Sequence, residues 1–162
     1  MLLFFITQMT ANANPCDTDR LHFIGYNPKV LICATGIREE VEKGITWWNN
    51  NGQNFRLADG IQTCNHEPVY GEIHIEFNDH QVATMDTETT TALGITVRNH
   101  FGSVDSIVSA NIYLSAALLD DRIELQTLIT HELGHAVGYQ HVPEECIGYM
   151  MHPFVSKMGD KL

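Results

Sequence analysis

The sequence predicts an α+β domain built from four to five strands and two helices, and three observations carry that expectation. Glu72-Ile73-His74-Ile75-Glu76-Phe77 alternates strictly, the pattern of a half-buried strand with the isoleucines and Phe77 turned inward. By the same alternation His74 belongs on the outer face, as a surface histidine. Val41, Ile45 and Trp48 recur at four- and three-residue spacing and give an amphipathic helix its apolar stripe. A second helical pattern, Leu125, Leu128 and Ile129, follows several short apolar runs, so its buried face is expected to lie on the sheet.

In chain order, Lys29 to Ala34 is short, apolar and partly β-branched, which reads as the first strand. The first helix opens near Thr35 or Gly36 and ends at the turn-forming Asn49-Asn50-Asn51-Gly52. Phe55 to Ala58 is a short second strand. The polar, threonine-rich stretch from Asn78 to Thr91 reads as a loop, and Ala92 to Val97 and Ser106 to Leu114 as further strands. Asp121 with Glu124 three residues on makes a capping box for the last helix, with both carboxylates at its positive end.

At 162 residues, with no internal repeat or low-complexity linker, one domain is expected. Its boundaries are drawn at 29–162, behind a leader over 1–13 and an N-terminal segment over 14–28 that reads as a short pro-segment. The leader rests on the apolar Met1-Leu2-Leu3-Phe4-Phe5-Ile6 followed by the small-x-small Ala11-Asn12-Ala13, which reads as a secretory signal. That apolar run is too short to span a membrane. A formal charge of −11 argues against a nucleic-acid partner, which needs a basic surface. Export makes disulfides the leading role for Cys16, Cys33, Cys64 and Cys146, in any of three connectivities. A free Cys16 thiolate would have another use, blocking the site described next.

The chemistry concentrates in His131-Glu132-Leu133-Gly134-His135-Ala136-Val137-Gly138-Tyr139-Gln140-His141. On a helix His131 and His135 project from one face a turn apart, a spacing that suits two nitrogen ligands on one zinc ion. His141 can supply a third ligand if the helix stops and the chain turns back, and Gly138 is suited to that turn because glycine tolerates positive φ. Three protein ligands leave a fourth position open, the arrangement of a catalytic zinc. Glu132 beside them is a carboxylate able to take a proton from an activated water. The other histidines (His22, His66, His80, His100 and His152) have no mutual ligand spacing and are assigned no metal.

This long motif, with Met151-His152-Pro153 ten residues past His141, resembles the metzincin clan of zinc endopeptidases. The order strand, helix, three or four strands, zinc helix, methionine turn resembles the catalytic domain of matrixins. The resemblance implies a zincin fold with a twisted mixed sheet, a backing helix, an active-site helix and a short C-terminal subdomain carrying the methionine turn. It implies one catalytic zinc on His131, His135 and His141, Glu132 as general base, and Met151 packed beneath the ligands. It further implies that Leu93, Gly94, Ile95 and Thr96 form the edge strand against which an extended peptide lies. Pro153 and Phe154 would wall the pocket beyond the cleaved bond, with the short Thr127 near its base and a bulky hydrophobic residue preferred there. Extra metals are not implied, although Asp79, Asp86 and Glu88 offer oxygens that calcium would accept. The expected protein is thus a secreted, monomeric endopeptidase acting on peptide or protein substrates. The alternative is a catalytically inactive zinc-binding recognition protein on the same scaffold.

Overall fold

A computed structural model describes residues 14–17, 21–23, 27–84, 92–102 and 106–162. The expected leader, and Asp86 and Glu88 of the calcium reading, lie outside the described residues. Six strands form one mixed sheet: β1 (His22–Phe23), β2 (Lys29–Ile32), β3 (Arg56–Leu57), β4 (Glu72–Phe77), β5 (Gly94–His100) and β6 (Ser106–Leu114). The strand the sequence pattern does not show is β1, which is only two residues long, too short for an alternation to register. Parallel pairings run β3–β2–β4–β6, with β1 beside the start of β6, and β5 alone runs antiparallel along β6's other edge.

Alternation decides what each face carries. Val30 and Ile32 of β2, Ile73 and Ile75 of β4, and Ala110, Ile112 and Leu114 of β6 are buried in one apolar core. Helix α1 (Arg38–Asn50) adds Val41, Ile45 and Trp48 to it, and helix α3 (Arg122–Ala136) adds Leu125, Leu128, Ile129 and Leu133. Removing that much apolar surface from water, at about 25 cal/mol per Å², is the main force seating both helices. The Trp48 ring N–H donates to the Thr130 carbonyl at 2.6 Å, so the indole's one polar atom is satisfied where α1 meets α3.

The opposite face differs from its sequence reading. His74 does leave the core side of β4, yet it is only 2 % exposed. The chain between β3 and β4 folds back over it: Ser109 Oγ donates to the Pro68 carbonyl at 3.0 Å, and Asn111 Nδ2 to Glu67 Oε2 at 3.1 Å. A period-two pattern tells inside from outside, but not whether a loop returns to cover the outside.

Three further expectations change. The stretch 78–91 is not wholly loop, because Asn78 caps a short helix α2 (Asp79–Ala83), its side chain accepting from the Gln81 N–H at 3.2 Å. Asp79, offered above to calcium, instead accepts from Ser115 Oγ at 2.9 Å and the Ala116 N–H at 3.0 Å. The cysteines pair Cys16–Cys146 and Cys33–Cys64, so the Cys16 sulfur is held in a cross-link and is no latent thiolate. That bond, with the Leu21 N–H donating to the Gly138 carbonyl at 2.9 Å and β1 paired to β6, joins residues 14–17 and 21–23 to the folded unit. The two disulfides fit an oxidising, extracytoplasmic compartment. No helix among the described residues is long and apolar enough to cross a membrane.

Candidate functional site

Helix α3 begins where the sequence places its cap: the Asp121 carboxylate accepts from the Ile123 N–H at 3.1 Å and the Glu124 N–H at 2.9 Å. Its apolar stripe then docks, which fixes the rotation about the helix axis and presents His131, Glu132 and His135 to a cavity of about 750 Å³. Gly134 faces the other way at a close approach. A β-carbon there would stand 2.5 Å from both Met151 Sδ and the Trp48 ring, so only glycine lets the helix settle onto them. The helix stops at Ala136, and Gly138, at φ 104°, turns the chain back to bring His141 to the other two histidines.

The three imidazoles converge. His131 Nε2 and His135 Nε2 lie 3.2 and 3.0 Å from His141 Nε2. Tetrahedral ligands at an imidazole bond length of ~2.0–2.1 Å from one ion stand ~3.3–3.4 Å apart, close to what is seen. The remaining ring atoms fix the tautomers. His131 Nδ1 lies 2.8 Å from the Met150 carbonyl and His135 Nδ1 2.8 Å from the Tyr139 carbonyl. A carbonyl can only accept, so each Nδ1 carries the proton and each Nε2 presents a lone pair. His141 can donate to only one of them, which leaves another approach of lone pair on lone pair. A cation between the three nitrogens removes that repulsion. The residues therefore fit a metal ion.

Electrostatics point the same way. Burial pushes His131 down to about 4, with the charges of His141 and His152 adding and the Met150 carbonyl opposing. Burial also holds His135 well below the ordinary histidine value and lowers His141. Neutral imidazoles are the form that ligates. Glu132 is only 4 % exposed, and burial raises its carboxyl to about 7, opposed by a hydrogen bond from Thr96. Thr96 Oγ1 donates to Glu132 Oε2 at 2.6 Å.

The expected substrate elements gather around this centre, with one exception. Leu93, Gly94 and Ile95 line the cavity on one side, and Pro153 and Phe154 on another. Phe154 is fixed by His152, which is wholly buried: its Nδ1 accepts from the Phe154 N–H at 3.0 Å while Nε2 donates to the Glu144 carbonyl at 2.9 Å. Met151 is 1 % exposed beneath the helix. Thr127 is not on the cavity wall. Its hydroxyl turns back to the Ile123 carbonyl at 2.9 Å, and the wall is held by Leu128, one position on, and by Glu124, a turn earlier.

Two contributions were not read from the sequence. Thr96 stood only for an edge-strand backbone, and no local pattern says that its side chain meets Glu132 from another element. Arg98, two residues on, also lines the cavity, and its Nη1 is buried with no hydrogen-bond partner among the described residues. No protein-family model matches the chain, and no characterised protein matches it in sequence.

Proposed function

We propose that the protein is a zinc-dependent endopeptidase resembling the matrixin branch of the metzincins, exported from the cytoplasm. The observation that carries this reading is the convergence of three imidazole Nε2 atoms beside a buried carboxylate at the floor of an open cleft. Zinc bound by His131, His135 and His141 would polarise the scissile carbonyl and lower the pKa of water toward ~7.

Each residue of the chain then has a task. Glu132 takes the proton of the attacking water and hands it to the leaving amine, and a carboxyl whose affinity for the proton is raised by burial suits both halves of that exchange. Thr96 holds the carboxylate in one orientation. Strand β5 pairs with β6 along one edge only, among the described residues, so an extended peptide can add to its other edge through backbone hydrogen bonds. Leu93, Leu128, Pro153 and Phe154 supply an apolar wall, which supports a preference for a bulky hydrophobic residue beside the cleaved bond.

The test is cleavage-site mapping of a mixed peptide library by mass spectrometry, with and without a chelator. Glu132→Gln should keep its zinc while turnover falls by ~10²–10⁴-fold, the range of a general base. Undiminished cleavage by the pure variant, or cleavage indifferent to the chelator, refutes the mechanism.

A further inference from the structure

Both long helices, α1 and α3, pack on one side of the sheet, and the opposite side carries a second histidine cluster that the peptidase reading does not use. Across strands β2, β4 and β6, Leu31, His74 and Asn111 form one register row on this far face. His74 is the buried histidine of that row. Its Nε2 lies 3.3 Å from Glu72 Oε2, long for a charge-assisted hydrogen bond and close to the spacing of two ligands on one tetrahedral ion. His66, on the loop that folds over β4, stacks edge-on to His74 with ring centroids 5.4 Å apart. His66 Nδ1 lies 2.9 Å from the Glu67 carbonyl, which fixes its proton there and leaves Nε2 as a lone pair. One ligand atom from each of His66, Glu72 and His74 falls within 4.8 Å of the others.

The surroundings favour a cation. A depression of about 370 Å³ is lined by His66 and His74 together with Glu67 and Glu76, with Glu72 just outside its lining. Among the described residues the lysine or arginine paired with Glu72 is Lys29, at 3.8 Å and on the other carboxylate oxygen. Glu72 Oε2 also accepts a long 3.4 Å bond from the Val69 N–H. The loop carrying His66 is anchored by Cys64 in its disulfide to Cys33, and by the Ser109 and Asn111 bonds described above. The ligands are therefore held before any ion arrives.

We propose that His66, Glu72 and His74 hold a second divalent transition-metal ion of the zinc class, which pins the β3–β4 loop to the far face of the sheet. Two imidazoles with one carboxylate select such an ion over calcium or magnesium, which take oxygen ligands throughout. This site is independent of the peptidase reading.

The test uses the full chain with its disulfides intact, stripped by chelator and dialysed against micromolar zinc, with bound metal counted by elemental analysis. Wild type should hold two ions, His66→Ala one, His141→Ala one, and the double variant none. His66 is exposed, so its replacement should leave the circular-dichroism spectrum unchanged. Glu72→Gln, which preserves side-chain size, should weaken the second ion at least tenfold. A zinc count that His66→Ala does not change, or a second ion that binds only at millimolar zinc, overturns the proposal. A single ion lost in His66→Ala but kept in His141→Ala would support the far-face site while refuting the helix-side one.

Discussion

The two histidine clusters lie on opposite sides of one sheet and are built by opposite means. On the helix side, three ligands come from eleven consecutive residues, and the pitch of one helix plus one glycine turn brings them together. On the far side, His66 arrives from a loop and His74 from a strand, and they meet only because the β3–β4 chain is tied across β6. Each cluster has its own covalent anchor, Cys146 near the methionine turn and Cys64 two residues before His66. Local geometry makes the first site visible as a motif. The second exists only as a product of the fold.

That difference can be broken at its anchors. The Cys16–Cys146 bond joins residues 130 apart and Cys33–Cys64 residues 31 apart. On chain entropy alone, replacing both cysteines of the first pair by serine should cost about 5 kcal/mol and of the second about 3.7 kcal/mol. Denaturant unfolding checks the order. The Cys33/Cys64 variant should also lose the far-face ion while peptide cleavage survives in whatever fraction stays folded. Equal loss of both functions from either variant would show that the clusters are not separately anchored.

A milder probe is acid acting on chelator-stripped protein. Burial keeps His131 unprotonated down to about 4, whereas an unfolded chain takes up that proton near 6.5. Between those values the unfolded state binds more protons, so stability rises with pH and is lost as pH falls. His135 and His141, lowered in the same direction, add to this, while Glu132, raised to about 7, opposes it. With three imidazoles against one carboxyl the stripped protein's Tm should decline from about pH 6.5 to about pH 4, and more steeply in Glu132→Gln. A Tm flat across that interval in Glu132→Gln, where the opposing carboxyl is gone, would mean that the helix-side imidazoles are not desolvated.

The smallest expected effect sharpens the chemistry rather than the architecture. Thr96→Val keeps the shape of β5 but removes the hydroxyl on Glu132, and kcat should fall about tenfold, equivalent to ~1.4 kcal/mol. Zinc content at both clusters should not move. An unchanged kcat would remove Thr96 from the work of orienting the carboxylate.

What could be read beforehand follows the same division. The start of α3 at Asp121, the turn at Gly138 and the meeting of His131, His135 and His141 all depend on spacing along a few residues, whereas the buried Met151 was expected only from the family resemblance. The first three were legible because helix pitch and glycine conformation are local properties. The coarse α+β order and the stripes of α1 and α3 were legible for the same reason. The cover over His74, the cysteine pairing, the cap on α2 and the Thr96–Glu132 bond were not, since each needs one element to find another. Leu128 lines the cavity where Thr127 was expected, since the direction of a helical side chain shifts the spot it covers.

The long cross-link has a consequence for how damage to this molecule would look. Cys16 and Cys146 close most of the described chain into a covalent ring. A cut at any one peptide bond inside that ring opens it without releasing a fragment. A single nick by any protease would pass unseen on a gel run without reductant, and would separate into two bands only once the sulfur bridge was broken.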